Sequence, residues 1–373
     1  MKKPSALHST YLIDGTPQDL TPAQILAAVT EPSGIQEGDV NEAAQIVDET
    51  IDPVMGPLVF DRNRLDEYLD NVMSADKQLP LAFSETYTKV RLAAALIDAL
   101  CCRGHFRLED LQLKAVWRWN MSSVGSASAF YTSVRSASEY IDEIGLKFSA
   151  YSYRNTASDS EVNFKPVIAD SDVEEFDPLA GTASDNPKLS PLRACPLDLD
   201  PDPQSWIVYI PFETSDYRLG GSLLAQTLGL GGGVPPRVGD ADYFIDCFEV
   251  VRELVEDRIL LSCNTVRYGG LLKALKQMTS GNVGASIDLS GIMKAYGEKD
   301  IIRILFSEVP GAIVQIRDID FDYLDAELLL QDVAFFPLGH PVPGTSDVRV
   351  KASAKSGIQT ILESLLQNAE GED

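Results

Sequence analysis

Two blocks of alternating strand-like and helix-like apolar patterning, separated by a stretch rich in Asp, Pro, Ser and Gly at residues 170–202, constrain this chain most. In the first block Val90, Leu92, Ala93, Leu96, Ile97 and Leu100 follow i, i+3, i+4, i+7 spacing, which predicts a helix over 87–102 with a broad apolar face. Leu111, Leu113, Ala115, Trp117 and Trp119 alternate as in a strand. A second helix is predicted over 126–144, where Gly145 stands at the C-cap, and a second strand over 147–153. In the second block, strands are predicted at 206–212, 259–263, 301–306 and 311–316, and helices at 223–228, 243–257 and 271–278. Such alternation belongs to layered α/β or α+β structures. The first sixty residues, with Pro, Gly, acids and a short apolar run at 54–60, read as a weakly ordered leader feeding an edge strand.

The chain carries 31 Lys+Arg against 56 Asp+Glu, a formal charge of -25 spread along its length. Phosphate backbones and anionic membranes would be repelled, so neither nucleic acid nor membrane is an expected partner. No run approaches the roughly 18 consecutive apolar residues of a bilayer span, and Met1-Lys2-Lys3-Pro4 leads into polar sequence rather than a signal core. A cytoplasmic protein is expected. Cys101, Cys102, Cys195, Cys247 and Cys263 form no CxxC pair, and His8, His105 and His340 are far apart, which supports neither a zinc site nor a disulfide framework. Cys101 and Cys102 read as buried thiols acting as small hydrophobes. The glycines at 229–233 lack the lysine-containing pattern of a phosphate-binding loop and read as a flexible connection.

Several pieces, in order, resemble the second synthetase half of phosphoribosylformylglycinamidine synthase, of the aminoimidazole ribonucleotide synthetase superfamily. They are Arg91-Leu92-Ala93, Leu113-Lys114-Ala115 with Trp117, and the helix ending in Gly145-Leu146. Further on come Leu219-Gly220-Gly221-Ser222 with Leu224-Ala225-Gln226, Tyr243-Phe244 leading to Arg258-Ile259-Leu260-Leu261, Gly269-Gly270-Leu271-Leu272, and Phe306-Ser307-Glu308-Val309-Pro310-Gly311-Ala312. The resemblance covers residues 80–365. It implies a two-domain α+β fold, with an N-terminal domain over 61–169 that forms a shared β-barrel on dimerisation and a C-terminal α/β domain over 203–365. The leader at 1–60, the linker at 170–202 and an acidic tail at 366–373 complete this division.

The resemblance also implies ATP and magnesium, used to phosphorylate a substrate amide that ammonia then attacks. Here the residues depart from the family. Where it reads His-Asp-x-Ser-Asp-Gly-Gly-Leu, this chain has Asn264-Thr265-Val266-Arg267-Tyr268-Gly269-Gly270-Leu271. Thr265 offers a neutral oxygen where a carboxylate would bind magnesium, and Arg267 adds a like charge. Where the family has Gly-Lys-Asp-Ser, this chain has Tyr151-Ser152-Tyr153-Arg154. The family's Glu and Asn, four apart on the helix after Arg91, are matched to Leu96 and Leu100, leaving Glu85 as the one acid of the set. The glycine pairs Gly220-Gly221 and Gly269-Gly270 are retained, and turn geometry alone would explain them.

Loss of charge at three motifs beside retained glycines leads to the expectation of a non-catalytic relative, a binding or structural subunit without ATP, magnesium or other cofactor. Two alternatives stay open. One is a subunit of an ATP-dependent purine-biosynthesis ligase completed by a partner chain. The other is a small-molecule binder whose cleft is lined by Tyr151, Tyr153 and Tyr268. Because a single half holds one set of barrel strands, a homodimer or a pairing with a related half is expected, with Trp117 or Trp119 at the interface centre. The competing arrangement is a monomer whose sheet edge is covered by residues 1–52.

Overall fold

The computed structural model describes residues 5–38, 42–53, 68, 78–103, 107–168, 195–230 and 232–351. The run at 54–60, Gly231, His105, the linker over 170–194 and the tail at 366–373 lie outside them. The elements in chain order are β1 (Thr10–Ile13), β2 (Thr16–Pro17), α1 (Pro22–Ala28), β3 (Thr30–Gly38), β4 (Gln45–Asp48), α2 (Ser84–Arg103), β5 (Leu111–Trp119), α3 (Ser126–Glu143), β6 (Lys147–Asn155) and β7 (Glu161–Ile168). The second half adds β8 (Trp206–Pro211), α4 (Leu223–Thr227), α5 (Ala241–Glu256), β9 (Leu260–Val266), α6 (Gly270–Met278), β10 (Val283–Asp288), α7 (Ser290–Tyr296), α8 (Ile301–Phe306), β11 (Gly311–Ile316), α9 (Phe321–Leu330), β12 (Phe336–Pro343) and β13 (Val348–Lys351).

These strands form a four-stranded sheet, β3-β6-β5-β7, and a six-stranded sheet, β13-β10-β12-β8-β11-β9, beside a small sheet β2-β1-β4. In the four-stranded sheet β6 runs parallel to β3 and β5, while β7 pairs antiparallel with β5. Helix α2 lies between the two larger sheets, packing on β7 from one and β9 and β11 from the other. That position explains its composition. Leu92, Leu96, Ile97 and Leu100 are all fully buried, because a helix enclosed on both sides needs more than one apolar stripe. The core around α2 takes in Phe148 from the first block and Phe244, Phe248 and Val314 from the second. On the opposite face of the six-stranded sheet a second cluster joins Ile207, Tyr209 and Ile313 to α4, α6 and α8.

Several expectations are corrected. The segment expected to be a weakly ordered leader is folded where described: β3 forms the edge of the four-stranded sheet, and Asp48 at the end of β4 reaches the start of α3. Residues 301–306 are helix α8 rather than a strand, since the Asp300 carboxylate accepts the Ile302 amide at 3.1 Å and starts a turn. Trp117 and Trp119 point inward, fully buried: the Trp117 indole donates to Ser133 Oγ at 3.0 Å and the Trp119 indole to the Ser126 carbonyl at 2.8 Å, both on α3. The face of β5 turned away from the helices carries Gln112, Lys114, Val116 and Arg118 instead. Cys101 on α2 and Cys263 on β9 form a disulfide rather than two separate thiols. The end of the expected linker is packed: Leu197 and Leu199 are buried, and the Cys195 amide donates to the Cys101 carbonyl at 3.1 Å.

Candidate functional site

The two glycine turns and the start of α6 converge on one side chain, Glu308. It follows α8 and is 2% exposed. Its Oε1 accepts the Leu223 amide at 2.8 Å and the Gly269 amide at 2.9 Å, so a single carboxylate oxygen satisfies donors at the starts of α4 and α6. Burial pushes Glu308 up to about 7, against the lowering effect of these two amides and of Arg91 and Lys273. The glycines beside it are required by geometry. Gly221 has φ +70° and any Cβ would meet the rings of Phe83 and Tyr87; Gly270 has φ +69° and a Cβ would lie 2.6 Å from the Leu305 carbonyl oxygen. The Tyr87 hydroxyl donates to the Gly220 carbonyl at 2.8 Å, tying α2 to the first turn.

Helix α2 supplies the remaining wall. The Arg91 guanidinium donates to the Val162 carbonyl at 3.2 Å and lies over the Tyr268 ring, 5.3 Å from its centroid. Two turns on, Asp98 accepts a hydrogen bond from the Thr265 hydroxyl at 3.4 Å. Asp98 is not among the residues matched to the family's motifs. Its signal is the i, i+7 spacing from Arg91, which places both on one side of the helix, whereas the matched Leu96 and Leu100 face the core. Thr265 itself is fully buried in β9, and the Asn264 amide donates to the Ala274 carbonyl at 2.8 Å, fastening β9 to α6.

The other expected site residues are not gathered here. Glu85 is at the first turn of α2, 3.7 Å from Lys89 Nζ, and lines an open cavity of about 500 Å³ with Ser128, Arg135 and Val234. At 1.5 Å per residue it stands about 20 Å along the helix from Asp98, too far to share a metal with it. Ser152 and Tyr153 are buried in β6, where Tyr153 packs on Phe130 and the Tyr151 hydroxyl donates to Gln36 Oε1 at 3.3 Å. Tyr268 has the Arg91 guanidinium over its ring, whereas Tyr151 and Tyr153 are buried on β6. The carbonyl of Arg267 accepts the Gly270 amide at 2.9 Å within the turn. Among the described residues no three His, Cys, Asp or Glu side chains are grouped so as to hold a metal ion.

The same arrangement, a carboxylate of the chain itself on a helix start, recurs twice. Asp48 accepts the amides of Gly125, Ala127 and Ser128 at 2.8 to 3.0 Å at the start of α3. Glu213, 4% exposed, accepts those of Gly239 and Asp240 at 2.8 and 3.2 Å before α5. Helix starts attract anions through free amides and the helix dipole, and here those amides already have internal carboxylate partners.

No protein-family model matches the chain. Over 159 residues it is 25% identical to human phosphoribosylformylglycinamidine synthase, a span of 42% of this chain and 12% of that protein. Over 243 residues it is 26% identical to the probable phosphoribosylformylglycinamidine synthase, chloroplastic/mitochondrial, of Arabidopsis thaliana, covering 62% of this chain and 16% of that one. The chain thus spans under a fifth of the length of these relatives. Among solved structures, T. maritima PurL complexed with FGAR superposes on 75% of this chain and 43% of its own, with a TM-score of 0.52 and 14% identity, which shows a shared fold. The chain is thus similar in sequence, over part of its length, to phosphoribosylformylglycinamidine synthases, and it shares its fold with a PurL structure.

Proposed function

We propose that this chain is a pseudoenzyme of purine-biosynthesis type: a synthetase-like unit that acts as a binding or structural subunit and does not carry out ATP-dependent ligation by itself. The observation that carries this reading is Thr265, a neutral and fully buried side chain standing where the resemblance implies a magnesium-binding carboxylate. The residues do not fit a magnesium nucleotide in the way the resemblance implies, since Thr265 is neutral, Leu96 and Leu100 are enclosed in the core, and Glu85 is remote. The test is an assay of the purified chain with the substrate amide, ammonia and magnesium ATP, in which no phosphate release above background is expected.

A second reading is favoured by Asp98. This partly exposed carboxylate beside Thr265 could provide one ligand of a site that a partner chain completes, making the protein a ligase subunit. Phosphate release that appears only on adding a related synthetase half would select it.

For assembly we propose a homodimer, or pairing with a related half, through the four-stranded sheet. With both tryptophans turned inward, the pairing face is that of Gln112, Val116 and Arg118 and is more polar than the sequence suggested. No helix among the described residues is long and apolar enough to cross a membrane, and a cytoplasmic site of action is part of the same proposal.

A further inference from the structure

Helix α9 is apolar on two sides. Its inner side places Leu324 and Leu328, both fully buried, in the core, with Phe321 against Trp206 at a ring-centroid distance of 5.2 Å. Its outer side presents Tyr323 at 42% exposure and Leu330 at 76%, preceded by Ile319 at 85% in the short turn Asp318–Asp320 that leads into the helix. With the exposed Ala326 these residues are spaced i, i+4, i+7, i+11 and form one line along the helix. Scattered exposed apolar side chains are ordinary, but a continuous line of them marks a surface that another molecule covers.

The border of this line is acidic. The Tyr323 hydroxyl donates to Asp257 Oδ2 at 3.1 Å, and desolvation, this bond, and the charges of Asp257, Glu327 and Glu253 push the phenol up. Asp322 adds a further acid in the first turn of the helix. Of the nearby cations, Arg252 and Arg317 are engaged with Glu253 and Asp320, and Arg258 follows Asp257 in sequence.

We propose that the Ile319–Tyr323–Leu330 line is a docking surface for a partner polypeptide bearing an amphipathic helix whose apolar face is flanked by lysines or arginines. Charge complementarity selects this occupant. A second copy docked through this line would bring the same acidic border against itself, and an anionic lipid surface would be repelled. The partner's apolar residues seat along Tyr323 and Leu330 while its cations meet Asp257, Asp322 and Glu327, the helix-on-helix mode of peptide recognition.

The experiment uses the full chain and a fluorescent synthetic peptide with leucines on one helical face and lysines flanking them, beside a control peptide with glutamates in place of the lysines. Anisotropy reads binding, and amide hydrogen exchange reads its location. The lysine peptide is expected to bind, to protect residues 319–330, and to bind about tenfold or more weakly to the double variant Ile319→Ser/Leu330→Ser, whose sites are too exposed to disturb folding. Asp322→Asn/Glu327→Gln is expected to weaken binding and reduce its salt dependence. Equal binding of the two peptides, undiminished binding by the serine variant, protection elsewhere, or no binding would each overturn the proposal. Self-association abolished by the serine variant would assign the surface to a second copy and overturn it as well.

Discussion

Replacing Glu308 by alanine removes the acceptor shared by the Leu223 and Gly269 amides and the acidic neighbour of Arg91 and Lys273, which are 6% and 7% exposed. Each buried amide left unsatisfied costs about 1–3 kcal/mol. A loss of about 3–5 kcal/mol is therefore expected for Glu308→Ala at about pH 5, shrinking as pH rises and the native carboxyl ionises. Glu308→Gln keeps a carbonyl acceptor and behaves differently with pH. The carboxyl rises from 4.5 to about 7 in the folded chain, so the folded state holds its proton more tightly than the unfolded state. Stability from this group is therefore fully present below about pH 4.5 and is lost as pH rises towards 7. The interval of about 2.5 pH units corresponds to about 3 kcal/mol at 1.36 kcal/mol per unit. Glutamine stands in for the protonated acid, so urea unfolding followed by tryptophan fluorescence should show the stability of Glu308→Gln gaining on the native chain between pH 5 and 8, by up to about 3 kcal/mol. Parallel pH profiles, or an alanine variant as stable as the native chain at about pH 5, would refute the role assigned to Glu308.

Trp117→Ala should lower stability by about 3–5 kcal/mol through a core cavity and loss of the Ser133 contact, while leaving subunit mass in light scattering unchanged whenever the variant is folded; dissociation of a folded dimer would contradict its inward placement. Peptide mapping without reductant should recover Cys101 linked to Cys263, and reduction should lower stability by about 2–4 kcal/mol, as for a bridge closing a long loop; five free thiols in the unreduced protein would contradict the pairing. Limited proteolysis should spare residues 195–202, since Leu197 and Leu199 are buried and the Leu199 amide donates to the Met278 carbonyl at 2.9 Å; early cleavage there would show that this stretch belongs to an open connection.

What the sequence carried well was periodicity. Alternation at 111–119 and the 3.6-residue repeat at 87–102 correspond to β5 and α2 because both patterns record local backbone geometry. Phase and partner were harder to read. One strand with tryptophans on alternate positions does not state whether its tryptophan face meets a helix of the same chain or a second subunit, and Ser133 on α3 decides it. Leu96 and Leu100, matched to the family's Glu and Asn, face the core, whereas Asp98 between them reaches Thr265, because two residues along a helix turn the side chain to the opposite side. In residues 301–306 the β-branched run suggested a strand, and Asp300 one position earlier was the cap that signalled a helix. The contacts that build the site are distant in sequence: Glu308 with Leu223, Thr265 with Asp98, Cys101 with Cys263, and Asp48 with the start of α3. No local pattern announces these, because they arise from how the layers stack.

The proposal that the chain has given up nucleotide chemistry is tested most directly by titrating the purified protein calorimetrically with ATP and excess magnesium. Neutral Thr265 and enclosed Leu96 and Leu100 lead to an expectation of no saturable heat up to millimolar nucleotide. A saturating isotherm with micromolar affinity, dependent on magnesium, would contradict it.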